Sequence, residues 1–236
     1  MRSLINNKKK IAVLVSVFFV IELAICISIQ HTFGILNKAL CFFSVVLAFL
    51  FALLSAERTL DFLFTVIALF GTVMADLFLV VMDPMRQLPA MLFFSLTQLS
   101  YFTRILLKTK NKPLFITHIA TRCTVSVVIV VITAIVLGEN TDAVALISLF
   151  YFANLALNVV FAFIGFKNNP VLAIGLLLFL FCDIFIGMSM MEGYLTVKEG
   201  TLAYFLAHPG FNAAWLFYVP SQALLAASVF SQRLRK

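Results

Sequence analysis

What constrains this chain most is a succession of apolar runs, each close to twenty residues long and separated by short polar breaks. A helix rises 1.5 Å per residue, so about 20 residues cross the hydrocarbon of a bilayer. Eight such spans fit, at about 11–29, 36–54, 62–82, 88–107, 119–137, 143–166, 171–191 and 211–230. Charged residues make up only 11% of the chain and the mean hydropathy is +1.11, whereas a soluble domain is about a quarter charged. The expectation is an all-α integral membrane protein, with residues 1–236 forming one polytopic domain. Asp83-Pro84 closes the third span, and Pro84 and Pro89 mark a tight hairpin into the fourth. The run from Ile11 to Ile29 is longer than the ~7–15-residue core of a secretory signal, and no small-x-small cleavage site follows it. It reads as a retained first span.

The net charge of +7 has a membrane explanation rather than a nucleic-acid one. With eight spans, fourteen of the seventeen Lys and Arg fall on one side, including Arg2, Lys8, Lys9, Lys10, Arg58, Arg104, Lys108, Lys110, Lys112 and Arg122. The other side holds Lys38, Arg86 and Lys198. By the positive-inside rule both termini are cytoplasmic, and no nucleic-acid recognition motif accompanies the basic residues. The expected location is a bacterial inner (plasma) membrane, with membrane lipids as surroundings. Cys26, Cys41, Cys123 and Cys182 all lie in apolar segments and read as buried free thiols. His31 and His208 fall in outer loops and His118 at an interface; without ligands at helical spacing, neither a metal nor another cofactor is expected.

Two carboxylates interrupt the apolar runs, Asp76 in the third span and Asp183 in the seventh. An ionisable group at membrane depth is costly and reads as functional. Asp76 lies about 21 Å from the cytoplasmic edge and Asp183 about 18 Å. Gln98, Asn154 and Gln222 lie about 15–17 Å from the outer edge. In a core ~30 Å thick these groups are expected to share one layer, with Glu22 near it. Asn154 and Asn158 read equally well as interhelical glue, and Glu22 as a packing group paired with a hydroxyl. Gln98 and Tyr101 share a face of the fourth span, with Arg104 further along it. Tyr218 and Gln222 flank Pro220, which is expected to kink the eighth. A 4+4 parallel repeat is suggested: Asp76-Leu77-Phe78-Leu79 matches Asp183-Ile184-Phe185-Ile186 at an offset of 107. Thr97-Gln98 and Ser221-Gln222 follow in the next spans, at the cost of an unequal loop.

From the second span to the eighth, these motifs resemble the lysoplasmalogenase (YhhN-like) family of eight-span membrane proteins. The resemblance is carried by Phe70 to Asp76, by Phe94 to Tyr101, by Gly175 to Asp183, and by Tyr218-Val219-Pro220-Ser221-Gln222-Ala223-Leu224. Ala75, Cys182 and Ala39 stand where the family has Gly, Ser and Pro. The resemblance implies a hydrolase that cleaves the alkenyl-ether bond of lysoplasmalogens to a fatty aldehyde and a glycerophospho-alcohol, so the expected partner is a lysolipid. Asp76 and Asp183 would be the acid/base pair, since one protonated and one ionised carboxyl suit protonation followed by water addition. Gln98, Tyr101, Asn154, Tyr218 and Gln222 would orient water and the glycerol hydroxyl. Lys38 would meet the phosphate, or else snorkel at the interface. Two rival readings stand beside this one. A small-molecule or proton-coupled transporter suits the repeat, the midplane carboxylates and Pro220. A lipid-binding member without activity suits the departures at Ala75 and Cys182.

Overall fold

The computed structural model describes residues 8–54, 59–109 and 111–230. Among these residues there are nine α-helices and no strand. They are α1 (Lys8–His31), α2 (Gly34–Leu53), α3 (Leu60–Asp76), α4 (Gln87–Leu106), α5 (Lys112–Leu137), α6 (Ala143–Ile164), α7 (Pro170–Met191), α8 (Leu202–Ala207) and α9 (Ala213–Ala227). Directly after Asp76 the chain makes a π-helical turn, Leu77–Val81, so α3 continues as one rod to Val81. Among the described residues six helices are long and apolar enough to cross a membrane: α1, α2, α3 with its π turn, α5, α6 and α7. The fourth and last expected spans differ. α4 has the length but carries Ser95, Thr97, Gln98, Ser100 and Arg104, all buried, and α9 has only 15 residues. Of the basic residues that enter the charge count, Arg2, Arg58, Lys110, Arg233, Arg235 and Lys236 lie outside the described residues.

Local chemistry sets most boundaries. Thr59 caps α3 by accepting from the Phe62 N–H, and Asn169 caps α7 by accepting from Leu172. The fifth helix begins at Lys112 rather than near 119, because Asn111 accepts from the Leu114 N–H and Pro113 lies in the first turn. That earlier start draws His118 and Arg122 well inside the helix. The segment before α9 holds the unforeseen helix α8 and then His208-Pro209-Gly210, a strong breaker. α9 passes through Pro220 without interruption. Proline has no N–H for the Leu216 carbonyl, and the Cys26 thiol approaches that oxygen instead, at 4.0 Å.

The helices pack around α9, which touches α1, α2, α3 and α7. Its small residues Ala213, Ser221, Ala223, Ala226 and Ala227 are all buried and allow close approach. α3 and α4 form the expected tight hairpin, its turn closed by Arg86 N–H donating to Phe78 O at 2.9 Å. A Cβ on Gly71 would meet Thr97 Oγ1 at 2.5 Å and the Phe93 carbonyl at 3.1 Å, so only glycine permits this approach. Thr97 uses it to donate to Ala68 O at 3.0 Å. Ser221 of α9 likewise donates to Gly175 O of α7 at 2.9 Å. α5 stands outside, packed on α6. The end where α3 and α7 begin and α4 and α6 finish carries Lys108, Lys112 and Lys167; it is called the basic end below.

Glu22 accepts a 2.6 Å hydrogen bond from Ser44 on α2, so this carboxyl pairs with a hydroxyl as its sequence suggests. Cys26, Cys41 and Cys182 are buried, while Cys123 is exposed on the outer face of α5.

Candidate active site

Asp76 and Asp183 come from different helices into one enclosed group, 3% and 4% exposed. Each meets a tyrosine. The Tyr218 hydroxyl of α9 donates to Asp76 Oδ2 at 2.7 Å, and the Tyr151 hydroxyl of α6 lies against the Asp183 carboxyl. The two carboxyls are near enough for direct electrostatic interaction. Asp183 Oδ2 has no hydrogen-bond partner among the described residues, which leaves one carboxylate oxygen available to a ligand. The two tyrosines are joined by an aromatic chain. Tyr151 stacks on Phe94 at 5.5 Å, Phe94 meets Phe179 at 6.0 Å, and Phe179 meets Tyr218 at 5.4 Å. Trp215 closes the far side of Tyr218, edge to face at 5.1 Å. The result is a pair of carboxyls in an apolar, aromatic enclosure. The π turn at Leu77–Val81 departs from regular helix just where Asp76 is presented, a placement common at functional sites.

The amides do not share the carboxylate layer. Thr97 bonds to Ala68, and Arg104 to Asp61, on the antiparallel pair α3 and α4. That register puts Gln98 opposite residue 67, nine residues from Asp76, or about 13 Å toward the basic end. On α7 and α9, the Ser221–Gly175 bond likewise puts Gln222 beside the carbonyl end of Gly175, eight residues from Asp183. The single expected layer is thus two. Depth merges them because the carboxylates are counted from one span edge and the amides from the other; the register between helices separates them.

The second layer is a polar network. Arg122 donates to Asn154 Oδ1 at 2.8 Å and to Asn158 Oδ1 at 2.5 Å. Asn158 Nδ2 donates to the backbone and side-chain oxygens of Gln98 at 2.9 and 3.0 Å. Gln98 Nε2, the Tyr101 hydroxyl and both amide atoms of Gln222 have no partner among the described residues. Gln98, Tyr101 and Gln222 are fully buried. Buried polar atoms of this kind are ordinarily satisfied by ordered water. A third group closes the basic end. Arg104, fully buried, holds Asp61 at 2.7 and 3.1 Å and Ser228 at 2.7 Å, and Lys108 meets Asp61 at 2.6 Å.

Of the expected site residues, the structure brings Asp76, Asp183 and Tyr218 together. Gln98 and Asn154 join the second layer, with Gln222 at a similar depth and Tyr101 one turn below Gln98. Lys38 stands apart, exposed in the second turn of α2. His118 is buried within the bundle, 1% exposed and stacked on Phe161 at 3.4 Å. Arg122, counted in the sequence as a loop-flanking cation, is 6% exposed. Tyr151 was missed as well, although Tyr151, Asn154 and Asn158 recur at helical spacing on one face. Among the described residues no three His, Cys, Asp or Glu side chains are grouped to hold a metal ion.

The model of the YhhN family matches residues 33–229, from just before α2 to just past α9. The chain belongs to the YhhN family. No curated protein and no solved structure matches it. The match takes in every residue of the carboxylate layer and of the polar layer described above, while α1 of this YhhN-family chain lies outside it.

Proposed function

We propose that this YhhN-family chain is a membrane hydrolase that cleaves the alkenyl-ether bond of lysoplasmalogen-type lysolipids, using Asp76 and Asp183 as its acid/base pair. The observation that carries the reading is the pairing itself: two buried carboxyls on separate helices, each against a tyrosine, with one oxygen of Asp183 unpartnered. One protonated carboxyl delivers its proton to the alkene carbon β to the ether oxygen, leaving an oxocarbenium centre at the α carbon. The other, ionised, takes a proton from the water that adds there, as the two carboxyls do in glycoside cleavage. The hemiacetal formed collapses to the aldehyde and frees the glycerol hydroxyl. Tyr218 and Tyr151 steer the two carboxyls. Gln98, Tyr101 and Gln222 hold water behind the pair.

The same reading takes the chain across the membrane eight times, with α4 and α9 as the two crossings beyond the six long apolar helices and both termini in the cytoplasm. The basic end then faces the cytoplasm of a bacterial cell, in keeping with the positive-inside rule. A duplicated four-span unit is supported by matched hydrogen bonds. Ala68 and Gly175, the two acceptors, are 107 residues apart, as are Asp76 and Asp183; Thr97 and Ser221, the two donors, are 124 apart, as are Gln98 and Gln222. The extra seventeen residues fit the α8-bearing segment between α7 and α9.

The test is purified protein with lysoplasmalogen. Aldehyde release should fall by about 100-fold or more in both Asp76→Asn and Asp183→Asn, and wild-type release in both variants sinks the assignment. A carrier is favoured by one observation, the π turn directly after Asp76 in α3. Substrate uptake into proteoliposomes with no aldehyde formed decides for it.

A further inference from the structure

Two buried arginines are held in opposite ways. Arg104 is neutralised by Asp61, which accepts from Nε and Nη2 of its guanidinium. Arg122 meets only neutral acceptors, Asn154 and Asn158, and among the described residues no carboxylate lies within ion-pair distance of it. Amide oxygens satisfy hydrogen bonds without cancelling charge, so the full positive charge stays in the interior, an expensive arrangement. A tether between α5 and α6 would need no charge, since Asn, Gln or Ser serve as glue. Two further nitrogens wait beside it. Arg122 Nε has no partner among the described residues, nor has Nδ1 of His118, one turn earlier on the same face of α5. Phe102 covers one face of the guanidinium at 4.1 Å, which further fixes its orientation.

We propose that Arg122, braced by Asn154 and Asn158 and flanked by His118, binds a phosphate group, that of a lipid headgroup or free phosphate. A guanidinium presents a planar fork that matches phosphate oxygens, and its charge is here left for the ligand to neutralise. The position suits a headgroup: Asn158 is six residues from the end of α6, about 9 Å inside the basic end. α5 packs mainly on α6 and exposes Val127, Val128 and Ile132, so one helix separates the site from surrounding lipid. The inference deepens the reading above by naming a headgroup subsite and rests on it for the choice of lysolipid. Binding is measured without turnover, so either can fail alone.

The experiment uses the full chain in a neutral detergent with three probes: a saturated 1-alkyl lysophosphocholine, which has no alkenyl bond to cleave, a 1-alkylglycerol, and inorganic phosphate. Wild type should bind the lysophosphocholine about tenfold or more tighter than the alkylglycerol, the worth of a charge-assisted bond. Arg122→Gln should abolish that preference. Asn158→Asp should abolish it too, because an isosteric carboxylate keeps the bond to Arg122 while cancelling its charge. Competition by inorganic phosphate assigns the site to free phosphate, and failure to compete assigns it to the headgroup. No preference in wild type, or an unchanged preference in a folded Asn158→Asp, overturns the proposal. Should Arg122→Gln not fold, Asn158→Asp still decides.

Discussion

Asp61→Asn is the perturbation whose cost the structure specifies most fully. Arg104 is completely buried and places two of its three nitrogens on the Asp61 carboxylate, at 2.7 and 3.1 Å. Ser228 takes the third at 2.7 Å, so this arginine ties α3, α4 and α9 together. The substitution keeps the shape of the side chain but removes the charge and turns an NH2 donor toward a guanidinium and the Lys108 ammonium. Breaking a buried pair costs about 3–5 kcal/mol. Because the Asp61 side chain is 17% exposed, the lower end applies, about 3 kcal/mol. For a chain of 236 residues that corresponds to a fall in Tm of roughly 6–12 °C. Thermal unfolding in mild detergent, followed through the chain's single tryptophan, Trp215, which packs on Tyr218, measures it. Lys108→Gln removes the more exposed partner and should cost less than about 1 kcal/mol. A fall under about 2 °C for Asp61→Asn, or an equal loss for Lys108→Gln, would refute the claim that charge burial at Arg104 holds the basic end together.

Three further outcomes are expected. Tyr218→Phe should slow aldehyde release by about ten- to a hundredfold, the worth of a hydrogen bond to a charged group, with kcat under saturating lysolipid as the readout. Gly71→Ala should destabilise by about 1–3 kcal/mol, because its Cβ meets a hydroxyl at 2.5 Å and backbone at 3.1 Å. Gly175→Ala should cost less, since its nearest neighbour at 3.0 Å is the flexible Leu225 side chain. Comparing the two Tm values checks that order. Thr97→Val and Ser221→Ala each remove one hydroxyl-to-carbonyl bond between helices and should each cost about 1 kcal/mol. Their effects should add in the double variant, because the bonds join separate helix pairs.

Several parts of this structure are legible in the residues themselves. Glu22 is costly in a first span, and the nearest remedy is a hydroxyl on the neighbouring helix, which Ser44 supplies. The hairpin between α3 and α4 follows from Pro84 and Pro89, and most helix starts follow from a capping side chain followed by an apolar run. Arg122 was not legible as buried, because a lone arginine ten residues after a basic loop reads as the end of that loop. The Asn111 cap with Pro113 moves the helix start back to Lys112 and so places Arg122 ten residues along it. Lys38, a natural phosphate candidate by residue type, remains exposed because it lies near the start of α2, before the buried stripe that begins at Cys41.

The sequence by itself determined that the chain is built from apolar helices and that Asp76 and Asp183 are its two costly carboxylates, because hydrophobic run length and the expense of charge in hydrocarbon are properties of local composition. Which tyrosine steers which carboxylate, and that Gln98 lies about 13 Å along the helix from Asp76 rather than beside it, were decided by tertiary structure alone. Those facts depend on the register between helices, and register is set by contacts such as Thr97 with Ala68 across Gly71, between residues distant in the chain.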